Sequence, residues 1–298
     1  MTTPIRLPFV QVDVFGLGSF LGNPVAVVFL TAADAADLLD TKGMQRIARW
    51  TNLSETTFVL PASTPEASYR LRIFTPRQEL PFAGHPSVGT AHAVIEAGLA
   101  KPDPQGRLIQ ECAAGLLPLR VESEPAARQI LVRLPEPRET ALSATAQHRL
   151  QTALGVDITP AAAVDVGPVW VVAGLDSGRA VRALQPDLDA LAALSVELGA
   201  VGMSVFGFDE SGEAGLVVRS FVPADGIPED PVCGSGNGAI GAYLQARGQF
   251  PGAAYTASQG RECGRDGRVR VELDPEGRVW IGGGARTLVQ GQLTLDAA

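Results

Sequence analysis

Residues 72–94 and 219–243 of this 298-residue chain are two versions of one segment, "RIFTPRQELPFAGHPSVGTAHAV" and "RSFVPADGIPEDPVCGSGNGAIGAY". Arg72, Phe74 and Pro76 match Arg219, Phe221 and Pro223 at an offset of 147, and Ala83-Gly84-His85 match Cys233-Gly234-Ser235 at an offset of 150. The second copy carries three extra residues, which this comparison puts at Glu229, Asp230 and Pro231. Weaker echoes pair "VDVFG" at Val12 with "VDVGP" at Val164, and "SETTFVL" at Ser54 with "GMSVFGF" at Gly202, so that Glu55 is matched to Met203. A chain built from two related halves must fold each half in a similar way.

The order in each half is strand, helix, several strands, glycine loop, helix and further strands. Helical spacing of apolar residues, with Leu38, Leu39 and Ile47 in the first half, predicts early helices over 34–49 and 187–199. Alternating segments such as "ASYRLRIF" and "GLVVRSF" predict strands. The helices after the loops are of another kind: 87–97 contains one acid and 237–246 no formal charge. A helix that is small or apolar all round is buried, so each half is expected to wrap a sheet around a central helix, whose N-terminus emerges beneath the glycine loop. Such an end leaves N–H groups unpaired and carries partial positive charge, which suits an anionic ligand.

Net charge is −8, which argues against nucleic acid or an anionic membrane as the main partner. No apolar run reaches the length of a membrane span, the N-terminus lacks a signal-peptide core, and Cys112, Cys233 and Cys263 form no disulfide or metal pattern. A cytoplasmic protein is the expectation. The only lysines, Lys42 and Lys101, are not placed for a Schiff base, the histidines His85, His92 and His148 have no metal-ligand spacing, and phosphate-loop motifs are missing; no cofactor and no metal are expected.

Four side chains carry potential chemistry. His85, directly after Gly84, stands where it can orient a ligand or relay a proton, against the ordinary alternative of a structural histidine. Asp230 and Glu229 either hold a substrate amine or hydroxyl or belong to a solvated turn, and Asp230 is favoured. Glu55, beside a strand of β-branched and aromatic residues, is either a turn-capping acid or a carboxyl whose desolvation lifts its pKa into the range of proton transfer. Racemisation generally uses two bases on opposite faces of a carbon. Here Cys233 is matched by Ala83 and Glu55 by Met203, so no matched pair of bases exists.

The segments "VDVFGLGSFLGNPVAVV", "NLSETTFV", "RIFTPRQELPFAGHPSVGTAHA", "RSFVPADGIPEDPVCGSGNGA" and "VWIGGGA" together resemble the PhzF-like (phenazine biosynthesis-like) family within the diaminopimelate epimerase fold superfamily. The resemblance implies an α+β fold of two similar domains, each a largely antiparallel, barrel-like sheet around a central helix, with a cleft between them and no cofactor. The domains are expected at 1–125 and 126–280, with 281–298 crossing back to the first. It implies a homodimer and an isomerase whose acid/base glutamate corresponds to Glu55, whose active-site histidine and aspartate correspond to His85 and Asp230, and whose ligand-binding amides and hydroxyl correspond to Gly84, Gly234 and Ser235. Cys233 stands where the family usually has threonine and belongs with the substrate-binding residues. The expected activity is a cofactor-independent proton or double-bond shift in a small carboxylic acid, cyclic or unsaturated and bearing an amine. The alternatives are an amino-acid epimerase using Cys233 and a non-catalytic binder of acidic metabolites.

Overall fold

The computed structural model describes residues 4–31, 39–123 and 128–295. The chain divides into two compact units, one of residues 1–14, 24–132 and 284–298, the other of 15–23 and 133–283.

The first unit contains β1 (Ile5–Val14), β2 (Asn23–Phe29), α1 (Thr41–Thr51), β3 (Glu55–Leu60), β4 (Tyr69–Phe74), β5 (Glu79–Leu80), α2 (Gly84–Glu96), β6 (Arg107–Cys112), β7 (Gly115–Ser123) and β8 (Arg128–Arg133). β2 and β3 are parallel, and α1 lies in the connection that returns the chain to the same edge. β4 is antiparallel to β3 and β5 and parallel to β6, and β6, β7 and β8 form a meander. Residues Ala285–Leu295 of the last strand run antiparallel to β1. Neighbour relations close the sequence β1-β2-β3-β4-β6-β7-β8-last strand upon itself.

The second unit repeats the scheme with β9 (Arg138–Ala141), α3 (Ala144–Leu154), β10 (Ala162–Asp165), β11 (Val169–Gly174), α4 (Gly178–Arg182), α5 (Leu188–Leu198), β12 (Gly202–Phe208), β13 (Leu216–Val222), β14 (Ile227–Asp230), α6 (Gly234–Ala246), β15 (Ala254–Gln259), β16 (Gly267–Leu273) and β17 (Val279–Leu295). β11 and β12 are parallel, β13 is antiparallel to β12 and β14 and parallel to β15, and β16 is antiparallel to β15 and to the start of β17. The sheets are thus mostly antiparallel, with two parallel pairs per unit.

Local signals account for the helix ends. Asp187 caps α5 by accepting from Ala190 N–H, and Gly199 ends it in the left-handed conformation at φ 62°, so 187–199 folds as the periodicity predicts. The expected helix over 34–49 is α1, which starts only after Asp40, whose carboxylate accepts from Gly43 N–H; residues 34–38 lie outside the described residues. Among the described residues no helix is long and apolar enough to cross a membrane.

α2 and α6 are the two buried helices: in each, every residue of the first eleven is buried, Gly84–Val94 and Gly234–Leu244. Such enclosure requires small residues where helix meets sheet. A Cβ on Gly89 would stand 2.5 Å from Val25 Cγ1 and 2.8 Å from Val14 Cγ2, and one on Gly238 would stand 2.5 Å from Leu134 Cδ1.

The strand registers correct two alignments made from sequence. Thr56 pairs with Phe74, whereas Met203 pairs with Phe221. Since Phe74 and Phe221 are counterparts, Thr56 corresponds to Met203 and Glu55 corresponds to Gly202. The parallel pairs agree, Val25 with Glu55 and Trp170 with Gly202. Likewise Ile73 pairs with Leu80 and Ser220 with Asp230, so Glu229 and Asp230 correspond to Glu79 and Leu80. The three extra residues therefore precede Glu229, in the 3-10 turn Pro223–Asp225 and the residues after it, and the acidic pair is not inserted.

Filling the close approach at Gly89 should strain the first unit. Gly89→Val is expected to lose about 1–3 kcal/mol of stability, read as a lower urea midpoint with an unchanged m-value.

Candidate active site

In the first unit, Glu55 opens β3 and His85 is the second residue of α2. Both are buried, and His85 Nε2 stands 3.4 Å from Glu55 Oε2. Burial drives the His85 pKa down to about 3, against the opposing pull of a hydrogen bond to the Pro24 backbone. Proline has no N–H, so its carbonyl accepts from the ring. The imidazole is consequently neutral at pH 7, its one proton directed to Pro24, and its bare nitrogen turned to Glu55. This contact is not an ion pair; it is a carboxyl group beside a proton acceptor.

In the second unit, Asp230 ends β14 and is buried. Its Oδ1 accepts from Asn23 Nδ2 at 2.8 Å and from Val232 N–H at 3.1 Å, while Asn23 also donates to the Val232 carbonyl at 3.1 Å. Burial raises the Asp230 pKa to about 6, offset by hydrogen bonds from the Cys233 side chain and the Val232 backbone and reinforced by the Glu229 charge. Asp230 therefore keeps its proton to a higher pH than an ordinary aspartate does.

Glu229 has a different occupation. It takes a two-pronged hydrogen bond from Arg219, Nε to Oε1 at 2.9 Å and Nη2 to Oε2 at 2.6 Å, while the guanidinium sits 4.9 Å from the centre of the Phe221 ring. Arg72, Glu79 and Phe74 repeat this triad, with both oxygens of Glu79 at 2.7 Å and the ring at 5.2 Å. The pair is part of the repeated framework, and its carboxylate is committed to Arg219.

Each unit also presents a helix start. Ala83 caps α2 without a side-chain bond, and Pro86 at the third position has no N–H to satisfy. At the same position of α6, Gly236 N–H donates to Cys233 Sγ at 3.2 Å. In both helices the first-turn donor at position three is thus removed or occupied, by proline in one and thiol in the other. Helix geometry leaves Gly84 in the first unit, and Gly234 and Ser235 in the second, without preceding carbonyl partners. Cys233 is buried, caps its helix through sulfur and donates toward Asp230. Trp170 Nε1–H donates to Ser235 Oγ at 3.1 Å.

Glu55, His85 and Gly84 thus gather in the first unit, and Asp230, Cys233, Gly234 and Ser235 in the second. Sequence reasoning missed Asn23 and Trp170. Asn23 stands in the "GNPVAVV" segment, where a polar residue between Gly and Pro was the available signal; Trp170 offered none, because its counterpart is Val25.

The phenazine biosynthesis-like protein family model (PhzC-PhzF) matches residues 12–291. The chain belongs to this family. It is 40% identical to antisense-enhancing sequence 1 of Schizosaccharomyces pombe, over 95% of this chain and 97% of that protein. It is 36% identical to trans-2,3-dihydro-3-hydroxyanthranilate isomerase of Pseudomonas chlororaphis, over 96% of this chain and 99% of that protein. The crystal structure of the Bacillus anthracis phenazine biosynthesis protein, PhzF family, superposes with a TM-score of 0.80 at 26% identity, covering 97% of this chain and 99% of that one. The fold is the diaminopimelate epimerase-like α+β fold expected from sequence, and the enzyme class is isomerase.

The two shifted groups affect acid stability with opposite signs. His85 binds its proton more weakly folded than unfolded, so its contribution is full above about pH 6.5 and falls toward pH 3 by up to about 1.4 kcal/mol per unit. Asp230 binds its proton more tightly folded than unfolded, so its contribution is full below about pH 4 and is lost as pH rises through about 6. Chemical denaturation from pH 7 to 4 should show His85→Gln gaining on the unsubstituted protein as pH falls, and Asp230→Asn losing ground.

Proposed function

We propose that this isomerase moves a proton from one carbon to another of a small unsaturated carboxylate bearing an amine, with Glu55 as the single acid/base. The observation that carries the reading is the one-sided carboxyl–imidazole pair: Glu55 beside neutral His85 at 3.4 Å in one unit, and glycine at the matching position, Gly202, in the other.

The chemistry follows from the groups. Glu55 as carboxylate takes a proton from an acidic C–H, and the electron pair left behind delocalises toward the substrate carboxylate. Backbone N–H groups at Gly84, Gly234 and Ser235, with the Ser235 hydroxyl, stabilise that growing negative charge. The protonated Glu55 then has a lone pair to lean on, His85 Nε2, which holds the proton until it returns to a different carbon. Because burial keeps His85 neutral, the imidazole accepts rather than competes as a second acid. Asp230, steadied by Asn23 and titrating near neutrality, is matched to a substrate amine or hydroxyl. Cys233 shapes the loop and touches Asp230; as a helix-capping thiol it is poorly suited to be the second base of an epimerase.

Trans-2,3-dihydro-3-hydroxyanthranilate, the substrate in the name of the Pseudomonas relatives, has these functional groups and is the compound to try first. With it, Glu55→Gln should lose about 10³-fold or more in kcat. The same variant should bind the non-isomerisable aromatic analogue 3-hydroxyanthranilate within about threefold of the unsubstituted protein, since the amide retains size and hydrogen bonding. Turnover preserved in Glu55→Gln would remove Glu55 from the proton path.

A further inference from the structure

We propose that Trp170 is a positioning residue: its indole packs over the glycine that replaces the proton-transferring carboxylate in the second unit, and its N–H fixes the Ser235 hydroxyl as a donor to the substrate carboxylate. This rests on the carboxylate-binding reading given above.

The duplication defines the comparison. In β2–β3, Val25 pairs with Glu55; in β11–β12, Trp170 pairs with Gly202. His85 and Ser235 are the second residues of α2 and α6. The first unit therefore has valine, glutamate and histidine where the second has tryptophan, glycine and serine. Bulk has moved from one strand to its neighbour. No side chain fits at 202: a Cβ there collides with the Phe221 carbonyl oxygen and stands 2.7 Å from Val222 Cγ1 and 3.0 Å from Trp170 Cζ3. A second acid/base carboxylate is sterically excluded from this position.

The polar contact changes with the bulk. Where His85 meets a carboxyl oxygen that can gain or lose a proton, Ser235 meets an indole N–H at 3.1 Å. Indole nitrogen only donates, and Trp170 is 3% exposed, so its N–H has little access to solvent. The contact uses a lone pair of Ser235 Oγ and compels the serine to direct its own proton elsewhere. Within the protein, Cys233 Sγ lies 3.7 Å from that oxygen, but sulfur is a weak acceptor and already receives Gly236 N–H at 3.2 Å. An incoming carboxylate oxygen is a far stronger acceptor. The hydroxyl is thereby set to join the Gly234 and Ser235 N–H groups as an anion donor. One copy of the ancestral pair handles the proton and the other has become a fixed donor.

The test is binding of 3-hydroxyanthranilate and of its carboxamide, by calorimetry, to the unsubstituted protein, Trp170→Phe, Ser235→Ala and the double variant. Phenylalanine keeps most of the ring and deletes the N–H. The expected result is that Trp170→Phe weakens the acid about tenfold and the amide far less, that Ser235→Ala does likewise, and that the double variant is little worse than Ser235→Ala. In turnover, the loss should appear mainly in KM. If the unsubstituted protein prefers the acid and Trp170→Phe keeps that preference, the role of Trp170 is overturned and the carboxylate reading survives. If the unsubstituted protein does not prefer the acid, that reading falls and the present proposal with it. Multiplicative losses in the double variant would also overturn it, because they would mean that Trp170 acts other than through Ser235; Ser235→Ala reads the hydroxyl even if Trp170→Phe does not fold.

Discussion

Enclosure of a helix without a polar face is the constraint on which this structure depends. α2 and α6 are buried through their first three turns, so apolar strands must surround them and glycines must stand where helix and strand nearly touch. The same enclosure fixes what a ligand can meet at each helix start. An α-helix cannot pair the N–H groups of its own first turn, and here the third of them is dealt with locally, by Pro86 or by Cys233 Sγ. What is left in each unit is the first pair of donors of its own helix, Gly84 and His85 in one and Gly234 and Ser235 in the other, held by the core of that unit rather than by flexible side chains.

Around that shared frame the two units have diverged in chemistry. The Arg–Glu–Phe triad is retained in both, at Arg72, Glu79 and Phe74 and at Arg219, Glu229 and Phe221. It ties adjacent strands together, and in the second unit, where both side chains are largely buried, breaking it from one side would strand a charged group with little access to water; the Arg72–Glu79 pair is more open to solvent. The side chains near the helix starts instead differ. Glu55 and His85 can share a proton, whereas Gly202 and Ser235 cannot, and Asp230 stands where the first unit has Leu80. Burial acts on both units by disfavouring charge: it lowers the pKa of His85 and raises that of Asp230.

The duplication, the buried helices and the order of strands were legible in sequence because they rest on repeated apolar spacing and on residues that both copies keep. The family segments likewise singled out Glu55, His85, Asp230 and the glycine loops. Two things were not legible. The partner of Glu55 was placed one residue away, at Met203, because strands of similar composition align almost equally well in either register; only hydrogen-bonded pairing identifies Gly202. The acidic pair reads as an insertion in sequence because a single shared glutamate, Glu79 with Glu229, carries too little context to anchor an alignment across a turn of different length. Trp170 was overlooked for the related reason that its importance lies in the space vacated by a glycine on the neighbouring strand.

The central claim is that one enclosed carboxyl group both removes and returns the proton. Following a substrate deuterated at the carbon that loses its proton, through a single turnover in ordinary water, tests this directly. Product analysis by NMR should find a measurable part of the deuterium at the new carbon, because Glu55 is buried beside a neutral His85, where water has little access to a proton it holds. A product carrying none of the label at the new carbon would contradict transfer by a single, shielded base.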